Sequence, residues 1–80
     1  MRKPKHTVVI KKRSLSIRGH RTSVSMEDAF WDALVDCSKR AGLSQAEMVA
    51  RIDAERAPDE NLSSAIRVFL LKDLQADREH

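Results

Sequence analysis

A change of hydrophobic period at Met26 restricts the architectures open to this chain. Before that point Thr22, Val24 and Met26 alternate with polar residues, which is typical of a half-buried strand. Beyond it, apolar residues recur every three or four positions, which indicates amphipathic helices. A strand this short is not stable alone, because its backbone groups need a partner strand. The partner must come from elsewhere in the chain or from a second copy.

A second short alternation precedes this strand. Leu15 and Ile17 fall on one face, and the serines beside them fall on the other. Two interpretations remain open. Either residues 14–18 and about 20–26 form a hairpin, or only the second stretch pairs, in which case the simplest partner is the same strand of a second copy.

Positive charge is concentrated at the amino end. Eight of the 15 Lys and Arg precede Glu27, which is the first of the 12 acidic residues. A segregated charge of this kind attracts a polyanion, whereas an even mixture mostly solvates the surface. Residues 1–13 are predicted to be a basic flexible arm, because they contain Pro4 and show no sustained hydrophobic period. Residues 14–80 form the predicted folded domain.

Three helices are predicted after the strand. The first spans about 27–41, with acidic residues in its first turn and Gly42 as a left-handed stop. The second spans about 44–56 and begins with a capping box formed by Ser44 and Glu47. The third spans about 62–75. It is apolar nearly all round, so it needs cover on more than one side.

Composition excludes several classes of protein. Three aromatic residues and two glycines favour a helical core over a barrel, and a single cysteine, Cys37, cannot form an intrachain disulfide. The histidines lack the spacing of a metal site, and no pair of acids suits acid–base catalysis, so we expect neither an enzyme nor a cofactor. The longest apolar run of the amino end is Val8–Ile10, far too short to span a membrane. A soluble, cytoplasmic protein is expected.

These features resemble a known family. The order strand, helix, Gly42-Leu43-Ser44 turn and helix, with Arg21-Thr22-Ser23-Val24-Ser25-Met26 as the strand, is similar to the ribbon-helix-helix (MetJ/Arc-type) DNA-binding proteins. The segments Lys12–Ile17, Gly19-His20 and Asn61–Ala65 further resemble a short bacterial subfamily with an added C-terminal helix. The resemblance implies a mainly α fold with a short β-ribbon, built as an intertwined homodimer.

The resemblance also implies roles for individual residues. In the ribbon, Arg21, Ser23 and Ser25 would face the bases of double-stranded DNA. Ser44 and Gln45 would anchor phosphates. The concentration of positive charge, rather than the resemblance, adds Lys11, Lys12, Arg13 and Arg18 as phosphate contacts. The dimer core would contain Val24, Met26, Phe30, Leu34, Met48, Val49 and Ile52.

Two functions are consistent with these patterns. The first is a sequence-specific transcriptional regulator, most simply a repressor, whose dimeric ribbon enters the major groove. The second is a protein-interaction module, such as an antitoxin or adaptor, that uses the apolar third helix at residues 62–74 while the ribbon serves only dimerisation.

Overall fold

The computed structural model describes residues 9–78. Two strands and three helices follow one another: β1 (Ile10–Ile17), β2 (His20–Glu27), α1 (Asp28–Ala41), α2 (Gln45–Glu55) and α3 (Leu62–Arg78). The expected mainly α fold with a β-ribbon and a third C-terminal helix is confirmed. The homodimer remains a proposal, because the structure contains one chain.

The two strands form an antiparallel hairpin. Ser23 of β2 lies opposite Ser14 of β1. The connecting residues Arg18 and Gly19 both have positive φ, at 50° and 81°, as a two-residue turn of type I′ requires. The partner of β2 within the chain is therefore β1. Because β1 begins at Ile10, residues 10–13 of the predicted arm lie in a strand, while residues 1–8 lie outside the described part.

One face of the hairpin packs on the three helices. The buried side chains are Ile17, Val24 and Met26 of the hairpin, Leu34 and Cys37 of α1, Met48, Val49 and Ile52 of α2, and Ala65, Ile66 and Leu70 of α3. Six of the seven predicted dimer-core residues are thus buried within a single chain, and Phe30 is half-buried beside them. Burial raises the pKa of the Cys37 thiol, which agrees with an inert core cysteine.

The junction between α1 and α2 is set by local sequence. Gly42 takes a left-handed conformation with φ 74°, and the Leu43 amide donates to the Ser38 carbonyl at 2.9 Å. At the start of α2, the Ser44 hydroxyl accepts a hydrogen bond from the Glu47 amide at 3.0 Å. In return, the Glu47 carboxylate accepts one from the Ser44 amide at 2.8 Å. The predicted capping box is present, and it fixes where α2 starts.

Candidate nucleic-acid interface

The hairpin presents a polar face away from the core. Arg21, Ser23 and Ser25 of β2 are all exposed, as their alternation with the buried Val24 and Met26 predicts. Their cross-strand neighbours on β1 are also exposed and polar. We call these side chains the outer face: Lys12, Ser14, Ser16, Arg21, Ser23 and Ser25.

The chemistry of the outer face suits a polyanion with hydrogen-bonding edges. Each serine hydroxyl can donate and accept, and Arg21 offers a planar fork of donors that matches the acceptor pair of guanine. These six side chains include two cations and no carboxylate. The next residue of β2 on this side, Glu27, is paired with Arg67 of α3. Four short serines also let the strand backbone come close to whatever it binds.

Lys11 and Arg13 lie on the opposite side of β1 from the outer face. Lys11 Nζ is 3.2 Å from Asp28 Oδ2, and an Arg13 Nη atom is paired with the other carboxylate oxygen. The Arg13 guanidinium also lies over the Trp31 ring, 4.8 Å from its centroid. The hydrogen bond from Lys11, with the charges of Lys11 and Arg13, lowers the pKa of the Asp28 carboxyl. Both cations therefore already have an anionic partner.

Arg18 connects the hairpin turn to α2. Its guanidinium donates to the Ala50 carbonyl at 3.0 Å and lies 3.6 Å from Asp53 Oδ2. Of the four cations predicted to meet phosphates, only Lys12 lies on the outer face. Exposed ion pairs contribute about 0 to 1 kcal/mol each, so a phosphate could replace these carboxylates at small cost.

The amino end of α2 carries the two other predicted phosphate residues. Ser44 is exposed and Gln45 is half-buried. Hydrogen bonds from the Ser44 backbone and then from its side chain lower the pKa of Glu47, so that carboxylate stays charged beside the helix end. Within residues 9–78 no hydrogen bond engages the amides of Gln45 and Ala46. These amides are the donors left for an anion.

α3 reaches the edge of β2 that faces away from β1. The Ser25 amide donates to the Ser63 hydroxyl at 3.0 Å, and Arg67 Nη2 donates to the Ser25 carbonyl at 3.2 Å. Arg67 also holds the Glu27 carboxylate through Nε at 3.0 Å and Nη2 at 2.9 Å. Glu27 has a lowered pKa because of a hydrogen bond with its own backbone and then the bond from Arg67.

Sequence reasoning assigned no role to Ser63 or Arg67. One signal was present, since Arg67 is a single cation within the apolar run of α3. A cation at this position indicates only that the Arg67 side chain contacts a polar group or solvent. It does not identify the group, because the contact joins residues 42 positions apart.

An apolar groove separates α1 from α3. Its volume is about 520 Å³, and its apolar lining includes Phe30, Ala33, Val68, Leu71 and Leu74. At its rim Arg40 bridges Asp36 at 3.2 Å and Asp73 at 3.3 Å. Over the described part of the chain, no cluster of three metal-ligating side chains occurs, and no helix has the length and apolarity needed to cross a bilayer.

Comparison with known proteins places the chain in a family. A family model described as a ribbon-helix-helix domain matches residues 10–74. A solved structure of an uncharacterized protein from Bordetella pertussis Tohama I is similar, with a TM-score of 0.74 and 30% identity over 99% of this chain and 68% of the other. No curated protein matches. The chain belongs to the ribbon-helix-helix family, a DNA-binding family, because the family model covers most of its length.

Proposed function

We propose that this ribbon-helix-helix protein is a sequence-specific transcriptional regulator, acting as a repressor on double-stranded DNA in the cytoplasm. It needs no cofactor and catalyses no reaction. The observation that supports this proposal best is the outer face, where two cations and four serines stand together and the carboxylate that follows them in β2, Glu27, is paired with Arg67. A surface that meets DNA needs unpaired positive charge and no unpaired carboxylate, because free carboxylates repel phosphates.

The reading unit is a homodimer in which two β2 strands pair antiparallel about a twofold axis. In that arrangement Arg21, Ser23 and Ser25 of both copies form one continuous surface. With β1 on each side the sheet has four strands, which span about 14 Å between their outer axes at a spacing of about 4.8 Å. The major groove is about 12 Å wide, so only the two central strands fit inside it.

The flanking strands then lie over the walls of the groove. Lys12 is on β1 and on the outer face, which supports a role in binding a phosphate. Ser44 would anchor a second phosphate through its hydroxyl, which can still donate, and Gln45 through its free backbone amide at the amino end of α2. Lys11, Arg13 and Arg18 would contribute after exchanging their carboxylate partners for phosphates.

Selection from a random pool of DNA fragments at physiological salt tests this function. We expect a preferred duplex, on which Arg21→Ala costs about 1 to 3 kcal/mol if Arg21 pairs with guanine. An equal and smaller loss on every sequence would show that Arg21 only meets phosphate. Recovery of no enriched sequence, with no duplex bound, would reject the proposal.

A second candidate function rests on α3. Four large apolar side chains of this helix are 36 to 55% exposed: Val68, Phe69, Leu71 and Leu74. These residues could dock a protein partner, as in an antitoxin or adaptor, with the ribbon serving only dimerisation. Co-expression with proteins encoded beside this chain, followed by purification, discriminates the two. Stoichiometric capture that Leu71→Gln abolishes, with DNA binding absent, would favour the second candidate.

A further inference from the structure

The outer edge of β2, meaning the edge away from β1, is already occupied by α3 within one chain. We propose that Ser63 and Arg67 act as an internal cap on this edge, and that the cap must withdraw before two copies can pair through β2. The inference rests on the proposed function, since strand pairing builds the ribbon that reads DNA. In this view α3 regulates dimerisation and, through it, DNA binding.

The direction of the backbone groups shows what the cap covers. The amide and the carbonyl of Ser25 both point to α3, so neither bonds its cross-strand neighbour Lys12. Because backbone groups alternate between the two edges of a strand, those of Ser23 and Arg21 also point to the outer edge. No described residue forms a hydrogen bond with these two backbones on that edge. The cap therefore closes one end of the edge and leaves the middle open.

A partner strand and the cap need the same backbone groups. In a symmetrical pair centred on Ser23, the middle of β2, each Ser25 exchanges both of its hydrogen bonds with the partner's Arg21. Those groups of Ser25 are the ones that Ser63 and Arg67 bond, at 3.0 and 3.2 Å. A paired strand would also lie about 4.8 Å from β2, in the space that these two side chains fill. The two arrangements exclude each other.

The contacts that hold Arg67 in the cap are specific but partly exposed to solvent. Arg67 is positioned by the Glu27 carboxylate and by the Phe30 ring, whose centroid is 5.6 Å from its guanidinium carbon. Its side chain is 27% exposed, so solvent weakens these contacts. Ala65, Ile66 and Leu70 still anchor α3 in the core. Opening therefore requires the Ser63 and Arg67 side chains to turn away from the edge of β2, while the helix stays in place.

The monomer–dimer equilibrium of the full chain tests the proposal. Sedimentation at nanomolar to micromolar protein would compare the wild type with Ser63→Ala, Arg67→Gln and the double variant. We expect the double variant to dimerise about tenfold or more tightly, because two hydrogen bonds per chain no longer compete with the partner strand. Ser64→Ala and Arg51→Gln are matched controls that remove a similar group elsewhere, and both should sediment as the wild type does.

A second measurement keeps the test decisive if the double variant unfolds. Arg67→Lys retains the charge beside Glu27 but lacks the fork that also reaches the Ser25 carbonyl, so it should shift dimerisation in the same direction. In dilute wild-type protein the Ser25 amide should resist hydrogen exchange, and Ser63→Ala should remove this protection. Unchanged or weaker dimerisation in folded variants, or an unprotected Ser25 amide in the monomer, would overturn the cap.

DNA binding by the same variants separates this inference from the proposed function. Tighter dimerisation together with tighter DNA binding supports both. If dimerisation tightens and no duplex is bound by any variant, the cap stands and the transcriptional function fails. If DNA binding is specific in the wild type and dimerisation is indifferent to Ser63 and Arg67, the function stands and the cap fails.

Discussion

Lys11 and Lys12 are adjacent in β1 but have different surroundings. Lys11 is on the core side of the hairpin and pairs with Asp28, whereas Lys12 is on the outer face. The sequence pattern predicts the same role for both, because it starts the strand at residue 14 and places both lysines in a flexible arm. Once β1 begins at Ile10, the alternation of side chains separates them. The role of a lysine in this region thus depends on strand register, which the charge pattern does not specify.

We predict that Lys12→Ala lowers the salt dependence of DNA binding more than Lys11→Ala does. Each neutralised phosphate adds about 0.9 to the slope of log affinity against log salt, so loss of Lys12 from both subunits should reduce the slope by about 1.8. Titrations from 50 to 200 mM salt measure this slope. If Lys11→Ala produces the larger reduction, Lys11 and not Lys12 is the main phosphate contact of β1.

Ser44 shows how much a single residue can determine. Its capping box could be predicted from the four residues 44–47, because both hydrogen bonds between Ser44 and Glu47 form within one turn of helix. We predict that Ser44→Ala lowers the free energy of unfolding by about 0.5 to 2 kcal/mol, and that Ser44→Asp, which can also cap, has a smaller effect. Urea denaturation measures both. A loss of DNA affinity in Ser44→Ala without loss of stability would show that the phosphate contact is its main role.

Acid should weaken the fold through Asp28. Its native pKa is lowered by the hydrogen bond from Lys11 and by the nearby positive charges, so the folded state favours the charged carboxylate. Its contribution to stability is therefore present above the unfolded pKa and is lost as pH falls through the native pKa. We predict that the urea concentration at the unfolding midpoint decreases as the pH is lowered through the range in which carboxyl groups titrate. Asp28→Asn should make this decrease smaller. An identical acid dependence in Asp28→Asn would contradict the assignment.

At the scale of elements, the hairpin was harder to predict than the helices. The usual signal for a two-residue hairpin is Asn-Gly or Asp-Gly, because both central residues need positive φ. Here the first position is Arg18, an unusual residue for φ 50°, so the turn signal is weak. Its guanidinium bonds α2, a contact that compensates for the backbone conformation and that sequence alone does not show. The helices carried local stop and start signals at Gly42 and Ser44.

The different exposure of two α3 side chains predicts how much each contributes to stability. Leu71 is 52% exposed on the groove, whereas Ile66 on the same helix is fully buried. We predict that Leu71→Gln changes the free energy of unfolding by less than about 0.5 kcal/mol. Ile66→Ala, as the buried reference, should cost about 2 to 5 kcal/mol. A large cost for Leu71→Gln would mean that an assembly covers the groove in solution.

At the scale of the whole molecule, one chain buries most of the residues that a ribbon-helix-helix dimer was expected to share. The intrachain hairpin gives β2 a partner strand, and α3 covers part of its other edge. One chain therefore supplies both the strand pairing and the buried core. The resemblance of Arg21–Met26 and the Gly42-Leu43-Ser44 turn to known motifs predicts the family, and the alternation of β2 predicts that Arg21, Ser23 and Ser25 face outward. Neither predicts the cap, which depends on how α3 packs across the end of β2. In the proposed dimer, pairing of two β2 strands would exchange the contacts of the cap for contacts with the partner strand and would leave the outer face unchanged.

An amide-resolved nuclear magnetic resonance titration with the selected duplex, at physiological salt, tests whether the outer face is the DNA-binding surface. The largest shift changes should fall at Lys12 and at Arg21, Ser23 and Ser25, with smaller ones at Gln45. Residues 68–74 on the groove side of α3 should change little. Changes confined to α3, or no change along β2 at saturating DNA, would contradict the account.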